Sequence, residues 1–367
     1  MKKIPISADS HITEPPNCYI DHIDPSYRDR APYITNDERY GDIYVIEGME
    51  KTIPIGLVAA AGKDPKSMRW SGGVFDELHR SGWDPKYRLA DQDIDGVGAE
   101  ILYPSVGMVL CNHPDFDYKR ACMSAYNRWL QGYCSEAPDR LYGMAQVTLA
   151  SVDEGIEELR HAKEMGFRGV MMPGNPRHED YDHLDYDPFY EAAVDLGLPL
   201  SFHILTSNTD KIGAMRGPRI NGFCTIIRGC QDIIGMFIFG GVFQRHPKLR
   251  LVCVEADAGW APHYMYRMDH AYNYHRYWMK CEELERLPSD YFRDNVYMTF
   301  QDDWIAFKFK DECNVRRLMW ANDFPHSDAT WPRSQELLAE HTAHLTEEEK
   351  DRVLHDNVAE LYSITAV

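Results

Sequence analysis

The feature that most limits the fold of this chain is a recurring alternation of short, nearly all-apolar runs with segments of helical period. Eight such runs occur: KIPISADSHI (3–12), AEILYPS (99–105), LYGMAQVTL (141–149), RGVMMPG (168–174), LPLSFHI (198–204), LRLVCVEA (249–256), NVYMTFQ (295–301) and RRLMWAND (316–323). A strand that is apolar on both faces must be covered on both, which is the condition of a parallel sheet layered with helices. The segments between carry helix signals. SVDEGIEELRHAKEMG opens on Ser151 with Glu154 three residues later, the spacing of a capping box, and stops at Gly166. DPFYEAAVDLG offers Asp187 as N-cap, Pro188 at the first helical position and Gly197 as the stop. Eight repeats of this unit predict an α/β chain folded as a (β/α)8 TIM-like barrel. An open, doubly wound sheet is the alternative, but no glycine-rich phosphate loop follows the first run.

Residues 13–88 break the rhythm with Pro15, Pro16, Pro25, Pro32, Pro54, Pro65 and Pro85. They are expected to form an insertion after the first strand, packed over the barrel mouth as a lid or small subdomain. No low-complexity linker divides the chain, so residues 1–367 are expected to be one domain.

Charge and composition remove other classes. A net charge of -19 leaves no basic footprint for nucleic acid. The longest nearly apolar stretch, IIGMFIFGGVF (233–243), is too short to span a bilayer. The opening MKKIPISADSH lacks the apolar segment of a signal peptide. Nine cysteines occur without a CxxC pair, as expected of reduced thiols in the cytoplasm.

Chemistry in such a barrel sits at the C-terminal ends of the strands. Read in order, those ends carry Asp9-Ser10-His11, then His203, Glu255 and Asp323, with His326 in the loop after the last. Asp9 and His11 are two apart and share one face of a strand. One imidazole at a strand end is more often structural than a ligand. Several ionisable groups at one mouth would repel or be stranded from water unless a cation sat among them. A set of His and Asp suits zinc or manganese.

The motifs DSHITEP, LPLSFHI, HPKLRLVCVEADAGW and NDFPHSDATWP resemble the amidohydrolase-related family of the amidohydrolase superfamily. The resemblance is to the branch that includes aminocarboxymuconate-semialdehyde decarboxylase and γ-resorcylate decarboxylase, and it runs from the first strand to the last. It implies one divalent metal ion held by Asp9, His11, His203 and Asp323. It further implies a homodimer or higher homo-oligomer, and a metal-dependent non-oxidative decarboxylase of a small aromatic or unsaturated carboxylic acid. The strand-four end, GVMMPG, lacks the bridging group of two-metal relatives. Where the better-known decarboxylases carry a histidine on strand six, this chain has Glu255. Glu255, with Asp323 and His203, is the expected catalytic set. Glu255 is expected one layer outside the metal, where burial would let it keep a proton. The same site could instead run a hydrolase through metal-bound hydroxide, and a catalytically inactive binding barrel is the third reading.

Substrate contacts are sought among His178, Arg216, Arg219, Trp260 and His326. His178 and His183 lie in the polar loop PRHEDYDHLDYDP and serve equally well as solvated or capping groups. Arg216, Arg219 and Arg228 could pair a substrate carboxylate or face a surface or interface. Trp260, Trp320 and Trp331 suit core or pocket wall.

Overall fold

The computed structural model describes residues 3–207 and 217–365. All eight apolar runs form parallel strands. In chain order the strands are β1 (Ile6–His11), then β2 (Tyr33–Asp37), β3 (Gly41–Val45) and β4 (Ile53–Pro54) in the insertion. The barrel resumes with β5 (Ala99–Tyr103), β6 (Leu141–Gly143), β7 (Ala145–Gln146) and β8 (Val170–Met171). It ends with β9 (Leu200–His203), β10 (Leu251–Val254), β11 (Val296–Phe300) and β12 (Leu318–Trp320). Hydrogen bonds order them β1-β5-β6 and β7-β8-β9-β10-β11-β12. β6 and β7 are one run interrupted at Met144, whose N–H still bonds to Leu102 O at 2.9 Å. The run thereby passes from pairing with β5 to pairing with β8.

The ring closes between β12 and β1 without a regular ladder. Asp323 N–H bonds to Asp9 O at 3.1 Å and His11 N–H to Phe324 O at 2.8 Å. Below them Ser7 and Ser10 donate to Asn322 Oδ1 at 3.0 and 2.8 Å. The result is the expected (β/α)8 barrel.

Every residue of β9 and β10 is buried, as a strand under a helical layer requires. A fully buried Leu or Val such as Leu251 or Val252 contributes roughly 1.5–3 kcal/mol. The helix after β7, Val152–Glu164, starts where its sequence predicts, with Ser151 Oγ accepting Glu154 N–H at 3.3 Å. The next helix, Asp187–Leu196, starts one residue early. Its Asp187 carboxylate is taken by Arg245 at 3.0 Å and His246 at 2.9 Å, so it lies inside the helix and does not cap it. Gly197 ends that helix at φ 63°, a left-handed conformation that costs glycine little.

The segment Asn221–Phe239 is long and apolar enough, by length and composition alone, to cross a membrane. That extends beyond the 233–243 run noted in the sequence. In this fold its Arg228–Phe239 helix buries Ile233, Ile234, Phe237 and Ile238 as part of the helical layer over β9.

In the insertion, β2, β3 and β4 form an antiparallel sheet. The insertion meets the barrel beside the β12 loop: Ala61 N–H bonds to Pro325 O at 3.0 Å, and His79 lies edge-on to Phe324 and Trp331.

Candidate metal centre

Alternation on β1 puts Asp9 and His11 on one face, both fully buried at the strand's C-terminal end. β9 ends in His203, also buried. Glu255 follows β10 and Asp323 follows β12, each in the left-handed region at φ 55° and 53°. Such backbone costs about 1–3 kcal/mol per non-glycine residue and gathers at functional sites. Thr299 Oγ1 supports the Glu255 turn by accepting its N–H at 2.9 Å.

These four elements bring five side chains together. Glu255 Oε2 lies 3.2 Å from His11 Nε2 and 3.1 Å from His203 Nε2. Asp9 Oδ1 is 3.5 Å from His11 Nε2 and 3.8 Å from His203 Nε2. Asp323 Oδ1 is 3.4 Å from His11 Nε2 and 3.2 Å from His326 Nδ1. His326 stacks on His11 with ring centroids 3.8 Å apart. Two overlapping donor sets result, Asp9–His11–His203–Glu255 and His11–Glu255–Asp323–His326, sharing His11 and Glu255.

The donor chemistry fits a cation. His11 Nδ1 is 3.0 Å from Pro104 O and His203 Nδ1 is 2.9 Å from Ile204 O. A carbonyl only accepts, so both Nδ1 atoms carry a proton, and in the neutral imidazoles both Nε2 atoms point bare lone pairs into the cluster. Those two Nε2 atoms stand 3.3 Å apart. Both oxygens of Asp9 and of Asp323 are buried with no hydrogen-bond partner. Lone pairs facing lone pairs in a dry site call for a positive centre among them.

Without an ion, the neighbouring carboxylates would draw a proton onto those Nε2 atoms, so the site attracts positive charge in either form. Burial opposes charge on His11 and His203, yet the Asp9 and Glu255 carboxylates outweigh it and raise both imidazoles above their ordinary range. For Glu255, burial pushes upward, but contact with His11 and His203 holds it well below the carboxylate range. Glu255, expected one layer outside the metal, instead has its carboxylate within 3.2 Å of both imidazoles, inside a candidate donor set. Burial, with the charges of Glu255 and Asp9, pushes Asp323 well above its ordinary value. Burial and the neighbouring His11 push His326 well below.

A protein-family profile described as amidohydrolase matches residues 22–364. The chain belongs to the amidohydrolase family. Among curated proteins it is 27% identical over 209 residues to 2-amino-3-carboxymuconate-6-semialdehyde decarboxylase of Dictyostelium discoideum. That match spans 56% of this chain and 56% of that relative, little more than half of either. Among solved structures, an amidohydrolase from Mycobacterium avium subsp. paratuberculosis K-10 superposes with a TM-score of 0.81 at 19% identity, covering 100% of this chain and 99% of that one. A 5-carboxyvanillate decarboxylase from Novosphingobium aromaticivorans DSM 12444, complexed with manganese and 4-hydroxy-3-methoxy-5-nitrobenzoic acid, superposes at 0.70 and 19% identity, covering 98% and 96%. At these identities the structural likeness speaks for the barrel alone.

Within this amidohydrolase the other sequence candidates scatter. His178 and Arg219 are exposed on loops, and Arg216 lies outside the described residues. Trp260 Nε1 donates to Ala256 O at 2.7 Å and to Asp257 O at 3.1 Å, which ties down the loop after Glu255. Trp320 is wholly buried in β12, and Trp331 packs on Phe324. Among the described residues, His326 is the one proposed substrate contact that joins the cluster. Sequence reasoning missed Ser105, whose Oγ donates to Ile12 O at 2.7 Å and meets His326 Nε2 at 2.8 Å. Its position just past β5 was the available signal, the same one that marked Asp323.

Proposed function

We propose that this amidohydrolase is a metal-dependent, non-oxidative decarboxylase of a small aromatic or unsaturated carboxylic acid. The observation that carries the reading is the pair of bare Nε2 atoms of His11 and His203 among unpartnered Asp9 and Asp323 oxygens. The decarboxylase relative and the manganese-containing neighbour favour this chemistry among those the family could run. Asp9, His11, His203 and Glu255 would hold the ion, with Asp323 at the edge of the set. Two carboxylates, with a third at the edge, beside two imidazoles suit manganese at least as well as zinc. When bound, the ion supplies positive charge that anchors the substrate carboxylate and stabilises negative charge as carbon dioxide leaves.

The chain's own groups would do the rest. The carbon–carbon bonding pair stays on the substrate carbon, carbon dioxide departs, and one proton must reach that carbon. Ser105 gives its hydroxyl proton to Ile12 O, so His326 Nε2 donates to Ser105 and His326 Nδ1 faces Asp323 at 3.2 Å. Asp323, which its surroundings push toward the protonated form, would supply that proton with His326 beside it. Substrate would approach past Glu255 and His326, whose side chains are 14% and 13% exposed while Asp9, His11 and Asp323 show none. The insertion, which meets the β12 loop, would close over that approach as a lid.

Glu255 in place of the decarboxylases' strand-six histidine favours a second reading, a hydrolase that delivers water to the substrate. Reaction in oxygen-18 water separates them. Carbon dioxide release with no label in the remaining product supports the decarboxylase, and label in that product supports the hydrolase.

The proposal extends to a cytoplasmic homodimer. No disulfide joins cysteines among the described residues. The helix Ala261–Met279 exposes Tyr266, Tyr274, Tyr277 and Trp278, residue types favoured at subunit interfaces.

A further inference from the structure

We infer that Arg88 is a positioning residue for the metal centre, a buried guanidinium fork that fixes the spacing between the two ends of the barrel that carry Asp9, His11 and Asp323. The inference rests on the metal-centre reading above and concerns a residue outside the donor sets.

Arg88 belongs to the helix Pro85–Asp95 and is fully buried, as is its carboxylate partner Glu100 on β5. A buried pair of this kind is weak evidence for stability, because desolvation offsets the attraction. What distinguishes Arg88 is where its other hydrogen bonds go. Nη1 donates to the main-chain O of His11 at 2.7 Å, and Nη2 donates to the main-chain O of Phe324 at 3.0 Å. Those carbonyls belong to a metal-site imidazole and to the residue after Asp323. One rigid planar group therefore spans the seam where β1 and β12 meet without a regular ladder. The Phe324 ring lies under the same guanidinium, 4.9 Å from its centre.

Glu100 orients the fork. Its Oε2 accepts from Arg88 Nε at 2.5 Å and from Gln92 Nε2 at 2.7 Å, and its Oε1 lies 3.3 Å from Ser10 Oγ. Ser10 lies between Asp9 and His11 in the chain, and its hydroxyl also reaches Asn322, the neighbour of Asp323. Asn322 in turn donates to Asp95 at 3.1 Å. Arg88, Ser10 and Asn322 each bond beside a donor residue, and none of them is itself in the cluster. A lysine could keep the charge opposite Glu100, but its single ammonium lacks the planar fork that reaches two carbonyls at once.

The test compares metal-free parent, Arg88→Lys and the charge-neutral double variant Arg88→Gln/Glu100→Gln. Each is titrated with Mn2+, with free ion followed by electron paramagnetic resonance, and circular dichroism checks the fold. Cobalt-loaded samples report the ligand field through their visible bands. We expect one Mn2+ per parent chain, affinity weakened about 10–100-fold in both variants, and altered cobalt bands, the usual cost of losing a group that orients ligands. Affinity within about threefold of the parent, far under that range, with unchanged cobalt bands in either folded variant overturns the inference. Failure of both variants to give folded protein also overturns it, in favour of a folding role. A parent that binds no metal defeats the metal-centre reading itself, a result distinguishable from failure of the clamp.

Discussion

His11 and His203 face each other through Nε2 atoms 3.3 Å apart, each with its opposite ring nitrogen committed to a backbone carbonyl. As neutral imidazoles, neither can donate to the other. Removing one of them should therefore remove the ion. His203→Ala is expected to lose most of its metal by elemental analysis of protein purified without added metal, whereas the exposed His178→Ala should keep it. Equal metal in the two variants would defeat the assignment.

Glu255 touches both imidazoles, at 3.2 and 3.1 Å. Glu255→Gln exchanges a charged oxygen for an amide, so metal affinity and turnover should fall together. A drop in affinity of at least about tenfold is expected, in the range set by lost metal-site contacts. If the variant binds metal normally and loses only turnover, Glu255 is the proton donor after all.

His326 offers the converse pattern. Its Nδ1 faces Asp323 and its ring stacks on His11, on the exposed side of the cluster. His326→Gln should retain most metal and lose roughly 10²–10⁴ in turnover, the usual yield of a positioned acid–base group. Ser105→Ala removes only the group that holds the ring, and its loss should be smaller. A His326 variant with near-parental turnover would exclude the proton role.

Lys119 provides a test away from the site. Burial lowers its amine from 10.5 to about 8. Below that value the folded protein carries the full cost of a buried ammonium. Between about 8 and 10.5 the folded state has released a proton that the unfolded chain still holds, so stability rises with pH across that window. Relative to Lys119→Met, the parent should gain about 3 kcal/mol at most over that window, read from urea unfolding at a series of pH values. A constant difference between the two proteins would contradict the assigned shift.

Self-association is checked by light scattering. At micromolar concentration the parent should have the mass of a dimer, and Trp278→Glu, on the exposed aromatic face, should shift it toward a monomer. A parent that is already a monomer ends the proposal.

The barrel and most of its cluster were legible because their signals are local. Apolar runs with helices between them define the strands, and the strand ends name Asp9, His11, His203, Glu255 and Asp323. What was not legible depends on distances between elements. Nothing in YRLADQDIDG (87–96) marks Arg88 as buried, since a polar helix reads as a solvated face until β1 and the β12 loop close around it. Whether the Glu255 carboxylate reaches the imidazoles or stops short is a matter of a few ångströms that a strand pattern does not carry. Asp187 reads as a cap by type, and only the approach of Arg245 and His246, far along the chain, moved it into the helix.

The seam between β1 and β12 also sets an order of events in time. Ser7 and Asn322, which bond across it, are 315 residues apart in the chain. At roughly 5–20 residues per second of synthesis, the segment bearing Asp9 and His11 waits some tens of seconds for its partner strand to be made. Throughout that interval Asp9 and His11 lack the cross-seam bonds to the β12 loop that hold their strand end in place, even after His203 and Glu255 have been made. Ion capture therefore belongs to the end of biogenesis, and shortage of metal in the cell would be felt by finished chains rather than by growing ones.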